Sequence, residues 1–103
     1  MMEIIKNYNG KELTLSVNGR IDTITSVEFD ESIQDEYGNF NSLIIDFNDV
    51  NYISSAGLRV LISTGKKLEA EDIKMVILNV SDDIQKIFKL SGFDKIFEIQ
   101  WIP

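Results

Sequence analysis

The chain has 103 residues, with 17 acidic against 10 basic side chains, a net charge of −7, no histidine and no cysteine. This acidic balance argues against nucleic acid and anionic membranes as partners, because both require a basic surface. Without histidine and cysteine the chain lacks disulfides, thiolate chemistry, the commonest general base and the commonest metal ligand, so we expect no enzyme, no cofactor and no metal site.

The length predicts one domain spanning residues 1–103. No apolar run approaches the roughly 18 residues that a membrane span needs. The first six residues also lack the basic start and the long apolar stretch of a signal peptide. We therefore expect a cytoplasmic protein that does not bind membranes.

The first third of the chain predicts a β-hairpin followed by a helix. Glu3–Tyr8 and Glu12–Val17 are the expected strands, because Asn9-Gly10 between them is a strong hairpin signal. Asn18-Gly19 predicts a further turn. A helix is predicted over residues 23–37, with Thr23, Thr25 and Ser26 as candidate N-caps and Glu28 at capping-box spacing from Thr25.

The rest of the chain alternates between strands and helices. The predicted strands are 43–47, which we expect to be buried on both faces, 74–78 and 96–99. The predicted helices are 55–69 and a third that Ser81 caps, that Gly92 ends and whose apolar face includes Leu90. The fold class is therefore α/β: a mixed sheet of four or five strands, with an antiparallel hairpin and then parallel strands, packed with three or four helices.

Two adjacent serines, Ser54 and Ser55, stand where the strand ending near Asp46 gives way to the second helix. A hydroxyl placed there lies over backbone N–H groups and the positive end of the helix dipole. The folded chain would tolerate a phosphate on it, and the local charge would change by roughly −2. The segment indicates a switch rather than a catalytic site. From the sequence alone, a simple helix N-cap is the commoner role for a serine such as Ser55, and both roles can coexist in one side chain.

Three motifs in order resemble the sulfate transporter and anti-sigma factor antagonist (STAS) domain family. They are Gly19-Arg20-Ile21-Asp22, Leu43-Ile44-Ile45-Asp46 and Tyr52-Ile53-Ser54-Ser55-Ala56-Gly57-Leu58. The chain is most similar to the stand-alone bacterial anti-sigma factor antagonists. The resemblance implies the STAS fold and binding to an anti-sigma factor that is also an ATP-binding serine kinase. It further implies phosphorylation at the start of the second helix, which ends binding, and a PP2C-type phosphatase that reverses it.

The family's acceptor hydroxyl immediately precedes the glycine, but here that position is Ala56. The resemblance therefore implies Ser55 as the phosphorylated residue, with Ser54 as the second choice. It also implies a partner surface around this point. The residues of that surface are Asp22, Thr23, Ser54, Ser55, Ala56, Gly57, Leu58 and Arg59.

Several alternatives stay open at this stage. Ala56 in the usual acceptor position is compatible with a non-phosphorylated scaffold or adaptor. Gly57 either lets a partner approach closely or relieves crowding inside the chain. Asp46 and Asp49 could bind Mg²⁺, but a turn role is favoured because no glycine-rich phosphate loop accompanies them. The same lack argues against nucleotide binding.

Overall fold

The computed structural model describes residues 2–95 and 98–101. Within them, a five-stranded sheet has the order β1-β2-β3-β4-β5. The strands are β1 (Glu3–Asn9), β2 (Glu12–Ile21), β3 (Ser42–Ile53), β4 (Lys74–Val80) and β5 (Glu98–Trp101). The helices are α1 (Thr25–Gln34), α2 (Ser55–Ala70) and α3 (Asp82–Ser91), followed by a short 3-10 helix at Phe93–Lys95.

The strand directions confirm the predicted mixed sheet. β1 and β2 pair antiparallel, and the pairs β2–β3, β3–β4 and β4–β5 are parallel. Gly10, with φ +60°, makes the predicted hairpin turn. The predicted last strand began at Ile96, but residues 96 and 97 lie outside the described part of the chain.

The three helices pack on one face of the sheet. Alternate strand side chains such as Leu15, Ile45 and Ile77 join one core with Phe29 of α1 and Phe88 of α3. The residues between them point away from this core.

The expectation that strand 43–47 is buried on both faces was therefore wrong. Leu43, Ile45 and Phe47 are buried, whereas Ile44 and Asp46 between them are only half-buried. This is the period-two pattern of a strand with one covered face.

The predicted turn at Asn18-Gly19 is also wrong, because β2 runs straight through it to Ile21. Gly19 adopts φ +114° and pairs with Val50 of β3. Two register shifts occur in this stretch, and at each one β3 contributes an extra residue. β3 is consequently much longer than predicted, and Ile21 and Ile53 finish as neighbours at the same end of the sheet.

The two ends of α3 agree with the prediction, but one residue assigned to its apolar face does not. Ser81 Oγ accepts a hydrogen bond from Ile84 N at 3.4 Å, and Gly92 ends α3 with φ +76°, so both predictions are confirmed. Leu90 was wrongly assigned to the apolar face, since it is 90% exposed. It lies two residues after the buried Phe88, which places it about 160° away around the helix.

The carboxylate of Glu36, two residues after the end of α1, forms hydrogen bonds with two side chains of the outer strand β1. Tyr8 Oη donates to Glu36 Oε1 at 2.7 Å, and Lys6 Nζ donates to Glu36 Oε2 at 2.9 Å. Desolvation, followed by the hydrogen bond and the charge of Glu36, raises the pKa of Tyr8 from 10.0 to about 12. The bond from Tyr8 and the one from Lys6 lower the pKa of Glu36.

Candidate functional site

The start of α2 is anchored to the ends of β2 and β3. Ser54 N donates to Ile21 O at 2.8 Å. This backbone hydrogen bond joins the end of β2 to the residue at which α2 begins. Gly57 is buried one turn into the helix. A Cβ on Gly57 would lie 2.7 Å from Ile21 Cγ2 and 2.7 Å from Ile53 Cγ1, closer than real Cβ contacts. Of the two roles considered for Gly57, the geometry favours relief of crowding.

The two serines have different local roles. Ser54 is the N-cap of α2: its backbone is extended, with φ −86° and ψ 172°, and its Oγ accepts from Gly57 N at 3.2 Å. The cap role considered for Ser55 therefore belongs to its neighbour. Ser54 Oγ is half-buried and already engaged in stabilising the helix.

Ser55 is the first residue inside α2, and its side chain is exposed. Within the part of the chain that the structure describes, its hydroxyl makes no hydrogen bond. The first turn of α2 contains no acidic residue either, whereas that of α3 contains Asp82 and Asp83. The Ser55 hydroxyl is thus accessible, and it lies at the positive end of a helix whose first turn has no carboxylate of its own.

The turn between β2 and α1 is shaped by Asp22. Its Oδ1 accepts from the N–H groups of Ile24 at 2.9 Å and Thr25 at 2.8 Å. In return, Thr25 Oγ1 accepts from Asp22 N at 2.8 Å. These reciprocal bonds form a capping box of Asp22 and Thr25, so the predicted pairing of Thr25 with Glu28 was wrong.

The same bonds set the charge of Asp22. The backbone N–H of Thr25 is the largest influence that lowers the pKa of this carboxyl. The hydroxyl of Thr25, the N–H of Ile24 and the positive charge of Arg20 act in the same direction, while desolvation opposes them. Asp22 is therefore a half-buried carboxylate, held as an anion beside the end of β2.

Three exposed apolar or aromatic side chains lie near the Asp22 turn and the end of β3. None of them was predicted from the sequence to belong to the site. Ile24 is 83%, Val27 58% and Tyr52 38% exposed. The guanidinium of Arg20 lies 4.4 Å from the centre of the Tyr52 ring. A signal for two of them existed in the sequence: Ile24 and Val27 fall outside the stripe that Phe29 and Ile33 define on α1, so their apolar side chains face solvent.

The structure places the predicted partner-surface residues at one end of the sheet with different degrees of exposure. Thr23, Ser55 and Arg59 are exposed, Gly57 is buried, and the others are half-buried. The half-buried members are Asp22, Ser54, Ala56 and Leu58. Leu58 packs against the core, so it is accessible only in part.

Asp46, considered above as a Mg²⁺ ligand, has hydrogen-bond partners within the chain. In the described ranges 2–95 and 98–101, no group of three or more histidine, cysteine, aspartate or glutamate side chains could hold a metal ion. Asp46 Oδ1 accepts from Asn48 N at 2.9 Å, a local contact of the turn type that the sequence favoured, and from Asn79 Nδ2 of β4 at 3.0 Å. None of the helices seen in these ranges is long and apolar enough to cross a bilayer.

Comparison with known proteins shows related sequences among bacterial regulators. The anti-sigma-F factor antagonist RsfB of Mycobacterium tuberculosis is 29% identical over 96 residues, which cover 92% of this chain and 77% of the relative. The anti-sigma-B factor antagonist of Listeria monocytogenes is 28% identical over 98 residues, which cover 93% of this chain and 85% of the relative.

Solved structures share the fold. An anti-sigma factor antagonist from Mycobacterium paratuberculosis superposes with a TM-score of 0.89 at 23% identity, covering 97% of this chain and 86% of that one. The unphosphorylated form of the anti-sigma factor antagonist SpoIIAA gives a TM-score of 0.76 at 15% identity. This superposition covers 100% of this chain and 89% of SpoIIAA. The sequence profile of the STAS domain matches residues 2–102. The chain therefore belongs to the STAS domain family.

Proposed function

We propose that this protein is an anti-sigma factor antagonist, which acts by binding another protein in the cytoplasm and not by catalysis. Its partner is an anti-sigma factor that is also an ATP-dependent serine kinase, and binding releases the sigma factor. The names of the mycobacterial and listerial relatives, whose similarity covers more than nine-tenths of this chain, support the antagonist role. The docking surface is the start of α2 together with the Asp22 turn.

The observation that carries the switch is the division of roles between the two serines. Ser54 Oγ is engaged by Gly57 N, whereas the Ser55 hydroxyl is exposed and has no hydrogen-bond partner in the described ranges 2–95 and 98–101. In the proposed reaction the γ-phosphoryl group of ATP passes to Ser55 Oγ. ADP leaves, and a base of the kinase takes the hydroxyl proton. A PP2C-type phosphatase hydrolyses the ester and restores the free serine.

Phosphate on Ser55 ends binding by an electrostatic mechanism. It adds roughly two negative charges in the centre of the docking surface, where like charges and lost solvation oppose the complex. The helix dipole stabilises the same phosphate in the free chain, so the fold survives the modification.

A non-phosphorylated adaptor is the alternative, and Ala56 favours it. The position that carries the acceptor in the family pattern is here a half-buried methyl group without a hydroxyl. In this case the kinase would bind the chain without modifying it, or the chain would elute as a discrete large assembly in size-exclusion chromatography.

The two functions are distinguished by phosphate transfer from an anti-sigma kinase of the same genome. Intact mass spectrometry after incubation with Mg-ATP should show one added phosphate on the wild type and on Ser54→Ala, but none on Ser55→Ala. Ser63→Ala is the matched control, because Ser63 is an exposed serine of the same helix, roughly 12 Å further along its axis. Phosphate mapped to another residue would overturn the assignment of Ser55.

A further inference from the structure

We propose that Arg59 binds the phosphate on Ser55 within the same chain, so that phosphorylation also withdraws Arg59 from the docking surface. This inference rests on the proposed function, because it takes Ser55 as the acceptor. It assigns Arg59 a second role, as the counter-ion of the modified state.

Helix geometry places the two side chains together. Ser55 and Arg59 are both exposed members of α2 and are separated by one turn, so their Cβ atoms lie about 5–6 Å apart. The first turn is regular: Leu58 N donates to Ser54 O at 2.9 Å. A phosphate on Ser55 Oγ is therefore within reach of the long Arg59 side chain without any change of backbone.

Arg59 has no counter-ion of its own in the part of the chain that the structure describes. The positions three and four residues away from it on the helix are uncharged. They are Ser55, Ala56, Ile62 and Ser63. By contrast, Lys67 of the same helix forms an ion pair with Glu71, four residues later, at 3.7 Å. Of the neighbours of Arg59 along α2, Ser55 is the one that the proposed reaction converts into an anion.

Two other charged side chains near the start of α2, Asp22 and Arg20, already have partners. The Asp22 carboxylate accepts the N–H groups of Ile24 and Thr25. The Arg20 guanidinium lies over the Tyr52 ring. A phosphate on Ser55 would lie in the first turn of α2, where the helix dipole favours an anion, and one turn before Arg59.

The side-chain type strengthens the argument. The chain has two arginines, Arg20 and Arg59, and its other eight basic residues are lysines. The planar guanidinium of arginine matches two phosphate oxygens at once, which the point charge of lysine does not. Phosphorylation would thus present the partner with a new anion and at the same time engage a cation of the docking surface.

The test uses the full chain with phosphoserine inserted at position 55 during translation, so that no kinase is needed. Phosphorus NMR follows the second ionisation of the phosphate, whose ordinary pKa is about 6. We expect this pKa to be roughly 0.4 lower in the wild type than in Arg59→Gln, and Arg59→Lys to restore part of the difference. The Arg59 Nε–H signal should also shift when the phosphate becomes a dianion.

Arg20→Gln is the matched control, since it removes the same charge at the same end of the molecule and should leave the phosphate pKa within about 0.1 of the wild type. The inference would be overturned if the phosphate pKa were the same in the wild type and in Arg59→Gln. It would also be overturned if Arg59→Gln and Arg20→Gln changed this pKa by the same amount. Because the phosphate is installed directly, this result is independent of whether a kinase modifies Ser55. Failure of the proposed function would appear in the phosphate-transfer assay and not in this titration.

Discussion

Gly57 of α2 lies against Ile21, the last residue of β2, at a distance that leaves no room for a side chain. A Cβ on Gly57 would be 2.7 Å from Ile21 Cγ2. The start of the helix, and with it Ser55, is consequently held in a fixed position relative to the Asp22 turn. A rigid site of this kind supports a switch that works by changing charge and not by changing shape.

Gly57→Ala should destabilise the fold. The new methyl group would overlap Ile21 Cγ2 and Ile53 Cγ1, which sit close to their backbones and have little freedom to move. Overpacking costs about 1–3 kcal/mol, and it opposes a gain of about 1 kcal/mol from the better helix propensity of alanine. We expect a net loss of roughly 1 kcal/mol in urea unfolding, and an equal or higher stability would show that Gly57 is not tightly packed.

The two serines should respond differently to alanine. Ser54→Ala removes the oxygen that accepts from Gly57 N and should lower the free energy of unfolding by about 1 kcal/mol. Ser55→Ala removes an exposed hydroxyl and should change it by less than about 0.5 kcal/mol. Thermal and urea unfolding of the two variants check this order, and the reverse order would assign the cap to Ser55.

Asp22→Ala should lower the melting temperature by roughly 4 °C at neutral pH, because two N–H groups lose their acceptor. The pKa of Asp22 is lowered in the folded chain, so the stability contributed by its charge is present above the unfolded value of 3.8. It is lost as the pH falls through the lower, folded value. The stability difference between wild type and Asp22→Asn should therefore shrink below about pH 4. A difference that does not change with pH would contradict the charged cap.

Tyr8 should titrate well above an ordinary tyrosine, since its pKa is raised from 10.0 to about 12. Glu36→Gln should lower this pKa in part: desolvation, its largest cause, remains, while the hydrogen bond to the Glu36 carboxylate and the charge of that carboxylate are lost. The stability advantage of wild type over Tyr8→Phe is present below pH 10 and should be lost as the pH rises towards 12. NMR of a ring-labelled Tyr8 measures the titration, and an unaltered pKa in Glu36→Gln would show that the carboxylate has no part in it.

Much of the fold could be predicted from local patterns. Residues close together in the sequence determine several features that were predicted correctly. These are the Asn9-Gly10 hairpin, the order of strands and helices, and the ends of α3 at Ser81 and Gly92. The predictions that were wrong depend on tertiary contacts. Asn18-Gly19 resembles a turn, but pairing with β3 keeps Gly19 within the sheet.

The start of α2 could be predicted from the sequence, but the local roles of its residues could not. The motif order indicated the start of α2, but it did not distinguish the roles of Ser54 and Ser55. That distinction depends on which residue has extended backbone angles, and these are set by the bond from Ser54 N to Ile21 O. The Asp22 cap likewise depends on the exact end of β2, which the sequence placed too early because of Gly19.

The central claim is tested most directly by the affinity of the protein for its anti-sigma kinase, measured by isothermal titration calorimetry. We predict that Ser55→Ala binds like the wild type and that Ser55→Asp binds at least about tenfold more weakly, a loss of about 1.4 kcal/mol. Ser91→Asp, with the same added charge on an exposed residue at the end of α3, should bind like the wild type. Equal affinities for Ser55→Asp and the wild type would contradict the proposed switch.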